Sequence, residues 1–153
     1  MKEIVTALKY RFVTDLRQVL KAELRKIKTL GKYDFSGYTL VPIPLSASRK
    51  RWRGFNQAEV LGDLFSKSIK AVYEPEFLKK TRETQPQVWL KRKERLKQMK
   101  WSFQSLPKET VSGRNFIVFD DVWTTGATLK AAGAAIKRKG ANKVWGITLA
   151  SSH

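Results

Sequence analysis

The sequence predicts a single α/β domain with a mostly parallel sheet of about five strands flanked by helices. Residues 115–119 form a continuous apolar run, which is typical of a strand buried on both faces of a sheet. Residues 115–150 follow the order strand, helix, strand, which indicates a βαβ unit with a right-handed crossover. The length of 153 residues suits one compact domain, so we expect one domain over residues 1–153.

We expect the domain to begin with an N-terminal helical segment at residues 1–30. The core of the domain would then span residues 38–150. Apolar residues about four apart give the N-terminal segment one apolar stripe, formed by Phe12, Leu16, Leu20, Leu24 and Ile27. Residues 38–44 are rich in β-forming residues. Their two prolines, Pro42 and Pro44, fit the end of a strand that opens into a loop.

The middle of the chain is predicted to alternate between loops and short elements. Residues 45–55 are expected to form a basic loop. A helix follows, with Asn56 as its N-cap and Glu59 completing a capping box. Its buried face is predicted to consist of Leu61, Leu64, Phe65 and Ile69. We expect a turn and short strand at 71–80, a long loop running into a helix at 81–98, a strand at 101–103 and a turn at 107–114.

The last third contains the clearest pattern. The strand at 115–119 is followed by a connection at 120–128 and then by a helix. The apolar face of this helix is formed by Leu129, Ala132, Ala135 and Ile136. Gly140 lies where a helix-ending glycine is expected, and residues 143–150 form the final strand.

Composition excludes several kinds of chemistry. The chain has no cysteine, and its one histidine is the last residue, His153. It therefore cannot supply a disulfide, a thiol nucleophile, a histidine-based triad or a thiolate zinc site by itself. No apolar run reaches the roughly 18 residues of a membrane span, and no secretory segment is visible. We therefore expect a cytoplasmic protein without a membrane span.

The charge of +18, from 31 Lys and Arg against 13 Asp and Glu, is the outlier of the composition. It favours an anionic partner such as nucleic acid, a polyphosphate or an acidic protein face. A self-repelling solvated surface explains the same charge, so the charge alone does not decide.

Residues 120–128 combine two acids with a Thr- and Gly-containing loop at the carboxyl end of a predicted buried strand. Ligands of open α/β sheets bind beyond those strand ends. Free backbone N–H groups at the start of the following helix favour a phosphate, and Gly126 would let the backbone approach it closely. Asp120 and Asp121 suit ribose hydroxyls or a hydrated Mg²⁺ ion. Together these groups describe a site for a ribose 5-phosphate.

This run resembles the signature of type I phosphoribosyltransferases, which bind 5-phosphoribosyl 1-diphosphate (PRPP) together with Mg²⁺. The resemblance implies a type I phosphoribosyltransferase-like fold in which Asp120 and Asp121 contact the ribose. It assigns the 5-phosphate to Thr124, Thr125, Gly126, Ala127 and Thr128. Mg²⁺ would be carried by PRPP near the two acids, with no direct protein ligand required. Trp123, inside the signature, is predicted to be a packing residue.

Three further segments resemble the ComF family of competence-associated, phosphoribosyltransferase-like proteins: Ala7-Leu8-Lys9-Tyr10-Arg11, Val41-Pro42-Ile43-Pro44-Leu45 and Arg53-Gly54-Phe55-Asn56-Gln57-Ala58-Glu59. The resemblance implies a pyrophosphate loop that includes Leu45, Ser46 and Arg53. It also implies a flexible loop with Arg82, Gln87, Arg92 and Arg95. Many members of that family begin with a cysteine zinc module, which this sequence does not contain. Trp89 departs from the pattern, because a small residue is expected before Leu90.

Two functions remain open from the sequence. The first is transfer of a phosphoribosyl group from PRPP to an unidentified acceptor. The second is a PRPP-responsive protein of DNA uptake that binds single-stranded DNA and has little or no transferase activity. Trp52, Trp89 and Trp101 lie among basic residues, as stacking platforms do in single-strand binders. Two other interpretations of these basic segments stay open: a catalytic lid that closes over PRPP, and a solvated surface with Trp52 and Trp101 as core or staple residues. The resemblance also makes a competence helicase a candidate partner.

Overall fold

The computed structural model describes residues 33–81 and 103–151. Within them, four parallel strands form one sheet in the order β2-β1-β5-β6, and β3 and β4 form a separate antiparallel pair. The elements in chain order are β1 (Tyr38–Pro42), α1 (Ala47–Arg53), α2 (Gln57–Ser68), β2 (Val72–Tyr73), β3 (Leu78–Lys80), β4 (Phe103–Ser105), α3 (Lys108–Val111), β5 (Asn115–Trp123), α4 (Ala127–Lys137) and β6 (Lys143–Ser151).

Both faces of the sheet are covered, as the apolar run of β5 predicted. Ile117 and Phe119 pack with Leu61 and Phe65 of α2 on one face. On the other face Phe116 and Val118 pack in one cluster with residues of α4, namely Leu129, Ala132, Ala135 and Ile136. Because neighbouring residues of a strand point to opposite faces, a single run of four apolar residues supplies both cores. The predicted α/β class with a parallel sheet flanked by helices is confirmed.

The strand order reverses between β1 and β5. The unit β1-α2-β2 steps to one side of the sheet, and the unit β5-α4-β6 steps to the other. Their helices lie on opposite faces, so the two crossovers have the same hand, as the rule for parallel βαβ units requires. Such a reversal is the point at which open α/β sheets form a crevice beyond their strand ends.

Several boundaries differ from the sequence prediction. The sheet has four strands within the described residues rather than about five, because the strand near residue 103 pairs with β3 instead of joining the sheet. Residues 107–114 contain one short helix, α3, rather than only a turn. Strand β5 continues beyond residue 119 to Trp123, because β6 pairs with it as far as Ser151. Asp120 and Asp121 therefore lie in the strand and not in a connection.

The predicted basic loop at 45–55 is wrong in part, because residues 47–53 form helix α1. Ser46 begins this helix in an extended conformation. Gly54 ends it in the left-handed region, with its N–H donating to the Lys50 carbonyl. Helix α1 has no buried residue, so its sequence has no apolar periodicity by which a helix is recognised.

The N-terminal segment at 1–30 and the loop at 81–98, apart from Thr81, lie outside the described residues. So do Arg82, Gln87, Arg92 and Arg95 of the predicted flexible loop, together with Trp89 and Trp101. The extent of the domain and the roles of these residues stay predictions.

Candidate functional site

The candidate site lies at the carboxyl edge of the sheet, which we define as the edge where β1 and β5 end. The pairing of β1 with β5 ends at Pro42 and Phe119, and the Ile43 N–H then donates to the Phe119 carbonyl at 2.8 Å. Beyond that point β5 continues to pair with β6 alone. The β1 chain leaves the sheet here, at the reversal of strand order, which is where open α/β sheets form a ligand-binding crevice.

Asp120 and Asp121, the acid pair, are both partly exposed at this edge. The Asp121 N–H donates to Asp120 Oδ1 at 2.9 Å. Successive side chains of a strand point to opposite faces, so the two carboxylates have different surroundings. Carboxylate oxygens as a class accept hydrogen bonds from hydroxyl groups and bind hydrated cations.

The predicted phosphate loop, residues 124–128, joins β5 to α4. Thr124 and Thr125 are exposed, and Ala127 and Thr128 are partly exposed at the start of the 11-residue helix. The Ala127 N–H lies 3.4 Å from Thr125 Oγ1, and Gly126 occupies the N-cap position without a side-chain cap. The first N–H groups of a helix lack partners within the helix and carry partial positive charge. This loop therefore offers hydroxyl and N–H donors to an anion.

The backbone conformation at position 126 requires a glycine, which the sequence did not indicate. Its φ of 69° and ψ of 0° lie in the left-handed region, where a residue with a Cβ is strained. A Cβ built at Gly126 would also overlap the indole ring of Trp123. Trp123 is 37% exposed and lies against Gly126, which agrees with its predicted role as a packing residue. The Cβ direction of Gly126 is thus filled by protein.

The predicted pyrophosphate loop follows β1 on the other side of the crevice. Leu45 is partly buried and Ser46 is 7% exposed, with its Oγ 3.2 Å from that of Ser48. Arg53 is not in a loop but at the last position of α1. Its guanidinium donates to Gln57 Oε1 at 3.3 Å and lies 5.9 Å from the ring centre of Trp52.

Asn56 links the start of α2 to the end of β1 by hydrogen bonds. Its Oδ1 accepts from the Ala58 N–H at 3.1 Å, which confirms the predicted N-cap. Its Nδ2 donates to Glu59 Oε1 at 3.1 Å and to the Ile43 carbonyl at 2.9 Å. Asn56 therefore caps the helix and also holds the chain where β1 leaves the sheet.

One residue of this region was quoted in the sequence motif but given no role. Gln57, the first residue of α2, is 3% exposed, and its Nε2 atom has no hydrogen-bond partner. Its place after a capping residue predicts a solvated helix start. Only the folded structure reveals that the amide is buried.

A second surface feature lies on α1. Trp52 is 81% exposed, which excludes the alternative in which it is a core residue. Arg49, Lys50 and Arg51 of the same helix are also exposed.

Among the described residues there is no group of three potential metal ligands and no helix long and apolar enough to cross a bilayer.

The chain is similar in sequence to proteins named for competence and for DNA utilization. It is 32% identical over 141 residues to the competence protein ComFC of Bacillus subtilis, covering 92% of this chain and 55% of that protein. The chain is a relative of the ComF competence proteins. It is also 34% identical over 106 residues to the DNA utilization protein YhgH of Escherichia coli, covering 69% of this chain and 45% of that protein. The chain thus spans about half the length of these ComF relatives. No family model matches it.

The fold is that of the type I phosphoribosyltransferases. Adenine phosphoribosyltransferase from Saccharomyces cerevisiae superposes with a TM-score of 0.52 over 91% of this chain and 70% of that one. The two sequences are 16% identical, so this likeness concerns the fold alone. The fold expected from the PRPP-type signature and the resemblance to the ComF family are both confirmed.

Proposed function

We propose that this ComF relative binds PRPP with Mg²⁺ and transfers its phosphoribosyl group to an acceptor, releasing pyrophosphate. One observation carries the proposal: an acid pair and a donor-rich helix start lie side by side at the reversal of strand order. Phosphate groups favour the helix start, and hydroxyl groups favour the carboxylates. A sugar phosphate is the ligand that has both groups.

The parts of PRPP are assigned to three neighbouring segments. The 5-phosphate binds residues 124–128, and the ribose hydroxyls bind Asp120 and Asp121. The diphosphate binds the loop after β1, at Leu45 and Ser46, with Arg53 beyond it. The adjacency of β1 and β5 supports this assignment, because the loops that follow neighbouring parallel strands lie at the same edge.

The residues present fit a Mg²⁺ ion that arrives with the ligand. Oxygen ligands suit Mg²⁺, and it usually keeps several waters while binding one or two carboxylates and substrate phosphates. Asp120 and Asp121 are partly exposed carboxylates, and within the described residues no third ligand completes a protein cage. When bound, the ion would offset the charge of the diphosphate.

Calorimetry with PRPP and Mg²⁺ tests the proposal. Asp121→Asn keeps the shape of the side chain but removes the charge that accepts ribose hydroxyls. We expect PRPP affinity to fall about tenfold or more, since a hydrogen bond to a charged group contributes about 1.5–3 kcal/mol. Asp63→Asn is the matched control, because Asp63 pairs with Lys67 on the surface of α2. Equal PRPP affinity for Asp121→Asn and the unaltered chain would refute the ribose assignment.

Transfer is tested separately by pyrophosphate release with candidate acceptors. We expect release that depends on Mg²⁺ and is lost in Asp121→Asn. Binding without release from any acceptor would instead leave a PRPP-binding protein without transferase activity.

A second candidate function is binding of single-stranded DNA, and helix α1 favours it. An exposed tryptophan with a guanidinium beside it and three further exposed basic residues resembles a stacking platform in a basic groove. The names of the relatives, which concern competence and DNA utilization, also support it. A competence helicase as partner and a cytoplasmic location stay predictions.

An oligonucleotide titrated across a salt series tests this second function. If DNA binds, log K should fall with log salt by about 0.7 for each phosphate neutralised. Trp52→Ala should weaken binding by about 1–3 kcal/mol if one base stacks there and should leave ribose 5-phosphate binding unchanged. Salt-independent binding, or no effect of Trp52→Ala, would exclude α1 as the contact.

A further inference from the structure

The Gln57 amide group is an anomaly among the buried polar side chains. Five other polar residues in the described part of the chain are buried, and each has a hydrogen bond: Thr39, Ser46, Asn56, Ser66 and Ser105. Only Gln57 Nε2, within that part, lies buried without a partner. A buried donor without an acceptor destabilises a fold, so such a group calls for an explanation.

The free group of Gln57 is a donor, and Arg53 determines this. The Arg53 guanidinium lies 3.3 Å from the Gln57 side-chain oxygen. A guanidinium has only donors, so the amide must turn its oxygen, not its NH₂ group, towards Arg53. The NH₂ group therefore faces elsewhere, and its missing partner must be an acceptor.

Gln57 lies next to the proposed diphosphate-binding loop. Gln57 is the first residue of the 12-residue helix α2, and its neighbour Asn56 is bonded to the Ile43 carbonyl. Ile43 directly precedes Pro44, Leu45 and Ser46, the proposed diphosphate-binding loop. A helix start favours anionic acceptors, and Arg53 adds a positive charge beside the amide.

We propose that the Gln57 side-chain NH₂ group donates a hydrogen bond to a diphosphate oxygen of PRPP. Gln57 is then a specificity-determining residue that distinguishes PRPP from ribose 5-phosphate, which lacks the diphosphate. This inference rests on the proposed PRPP binding and adds a residue to that site. Arg53 acts as a positioning residue, because it holds the amide oxygen and thereby directs the donor.

The test uses Gln57→Met in the full chain, because methionine has a similar size and favours helices but cannot donate. Calorimetry with PRPP and Mg²⁺ should show a loss of affinity of about tenfold or more. Ribose 5-phosphate affinity should stay within about twofold. The melting temperature without ligand should change little, because the loss of the acceptor for Arg53 is offset by removal of an unpaired buried donor. Gln104→Met, at an exposed position of β4, is the matched control.

Gln57→Glu gives a second measurement that does not depend on the first variant folding. It keeps the shape and the contact with Arg53 but replaces the donor by a negative charge. PRPP affinity should fall more than in Gln57→Met, and ribose 5-phosphate affinity should again change little.

The outcomes separate this inference from the function on which it rests. If the unaltered chain does not bind PRPP, the proposed function and this inference both fail. If it binds PRPP and both Gln57 variants bind it equally well, only the role of Gln57 is overturned. Equal losses for PRPP and ribose 5-phosphate, with a lower melting temperature, would show that Gln57 is structural and would also overturn it.

Discussion

The two edges of the sheet satisfy their polar groups in different ways. At the amino edge, where β1 and β5 begin, Arg114 donates to Thr39 Oγ1 at 2.7 Å and to Glu74 Oε1 at 2.8 Å. It also donates to the Thr110 carbonyl at 3.0 Å and lies over the rings of Phe77 and Phe116. At the carboxyl edge, the buried Nε2 atom of Gln57 has no hydrogen-bond partner, and Thr124 and Thr125 are exposed.

This difference separates stability from function within one sheet. Groups bonded to each other have little capacity left for a ligand, whereas a site must keep donors and acceptors available. Backbone groups at the amino edge are also hydrogen-bonded to each other. The Asn142 N–H donates to the Arg114 carbonyl at 2.8 Å, and the Gly113 N–H donates to the Gly140 carbonyl at 3.0 Å. Substitutions at the amino edge should therefore change stability alone, and those at the carboxyl edge should change ligand binding.

Gly126→Ala should have the largest effect and should change both properties. The left-handed φ costs about 1–2 kcal/mol for a residue with a Cβ, and displacing Trp123 adds about 1–3 kcal/mol of overpacking. We expect the free energy of unfolding to fall by about 2–5 kcal/mol and binding of ribose 5-phosphate to weaken. Urea denaturation and calorimetry measure the two changes.

Trp123→Ala combined with Gly126→Ala is the control for this overlap. Removing the indole should recover the part of the loss that is due to overpacking and leave the backbone strain. If the double variant is less stable by the sum of the two single effects, Trp123 and Gly126 are energetically independent and the overlap is not the cause.

Arg114→Met is the counterpart at the amino edge. It leaves the Thr39 hydroxyl, in a residue 2% exposed, and the Glu74 carboxylate without their partner. We expect a loss of about 2 kcal/mol of stability, with PRPP affinity unchanged within about twofold. Arg51→Met, on the exposed side of α1, removes the same charge and should change stability by less than about 0.5 kcal/mol. A loss of PRPP affinity in Arg114→Met would mean that the two edges are coupled.

Elements with a strong local signal were predicted well from the sequence. The strand around 116–119 and the helix after Asn56 were recognised because an apolar run and a capping pattern are properties of consecutive residues. The acid pair and the loop at 124–128 were located for the same reason, since one strand–loop–helix segment contains them all. Their place at the reversal of strand order follows once β1 and β5 are neighbours.

Features that depend on residues far apart in the chain were missed. Helix α1 has no buried face, so the exposed position of Trp52 could not be distinguished from a core position. The buried Nε2 atom of Gln57 has no partner only in the folded structure, and its place after a capping residue gives no signal of this. The pairing of β3 with β4 outside the main sheet depends on residues about 25 positions apart, for which the sequence has no local signal.

Tyr73→Phe should give the smallest effect on stability. Tyr73 lies in β2, between the two edges of the sheet. The Tyr73 hydroxyl donates to the Glu59 carbonyl of α2 at 2.7 Å. Burial raises the pKa of the Tyr73 phenol, and the charges of Glu59 and Asp63 raise it further. At pH 7 the variant should lose about 1 kcal/mol of stability, the typical contribution of one hydrogen bond.

The stability difference between the unaltered chain and Tyr73→Phe should depend on pH, in a direction set by the raised pKa of the phenol. A phenol whose pKa is raised by folding stabilises the fold fully below its unfolded pKa of about 10. That contribution is lost as the pH rises from there towards the folded pKa, because only the unfolded chain then releases the proton. The stability difference between the unaltered chain and Tyr73→Phe should therefore shrink between about pH 9 and pH 11 in urea denaturation. A constant difference over this range would contradict a raised pKa and would leave the hydrogen bond to α2 as the whole effect.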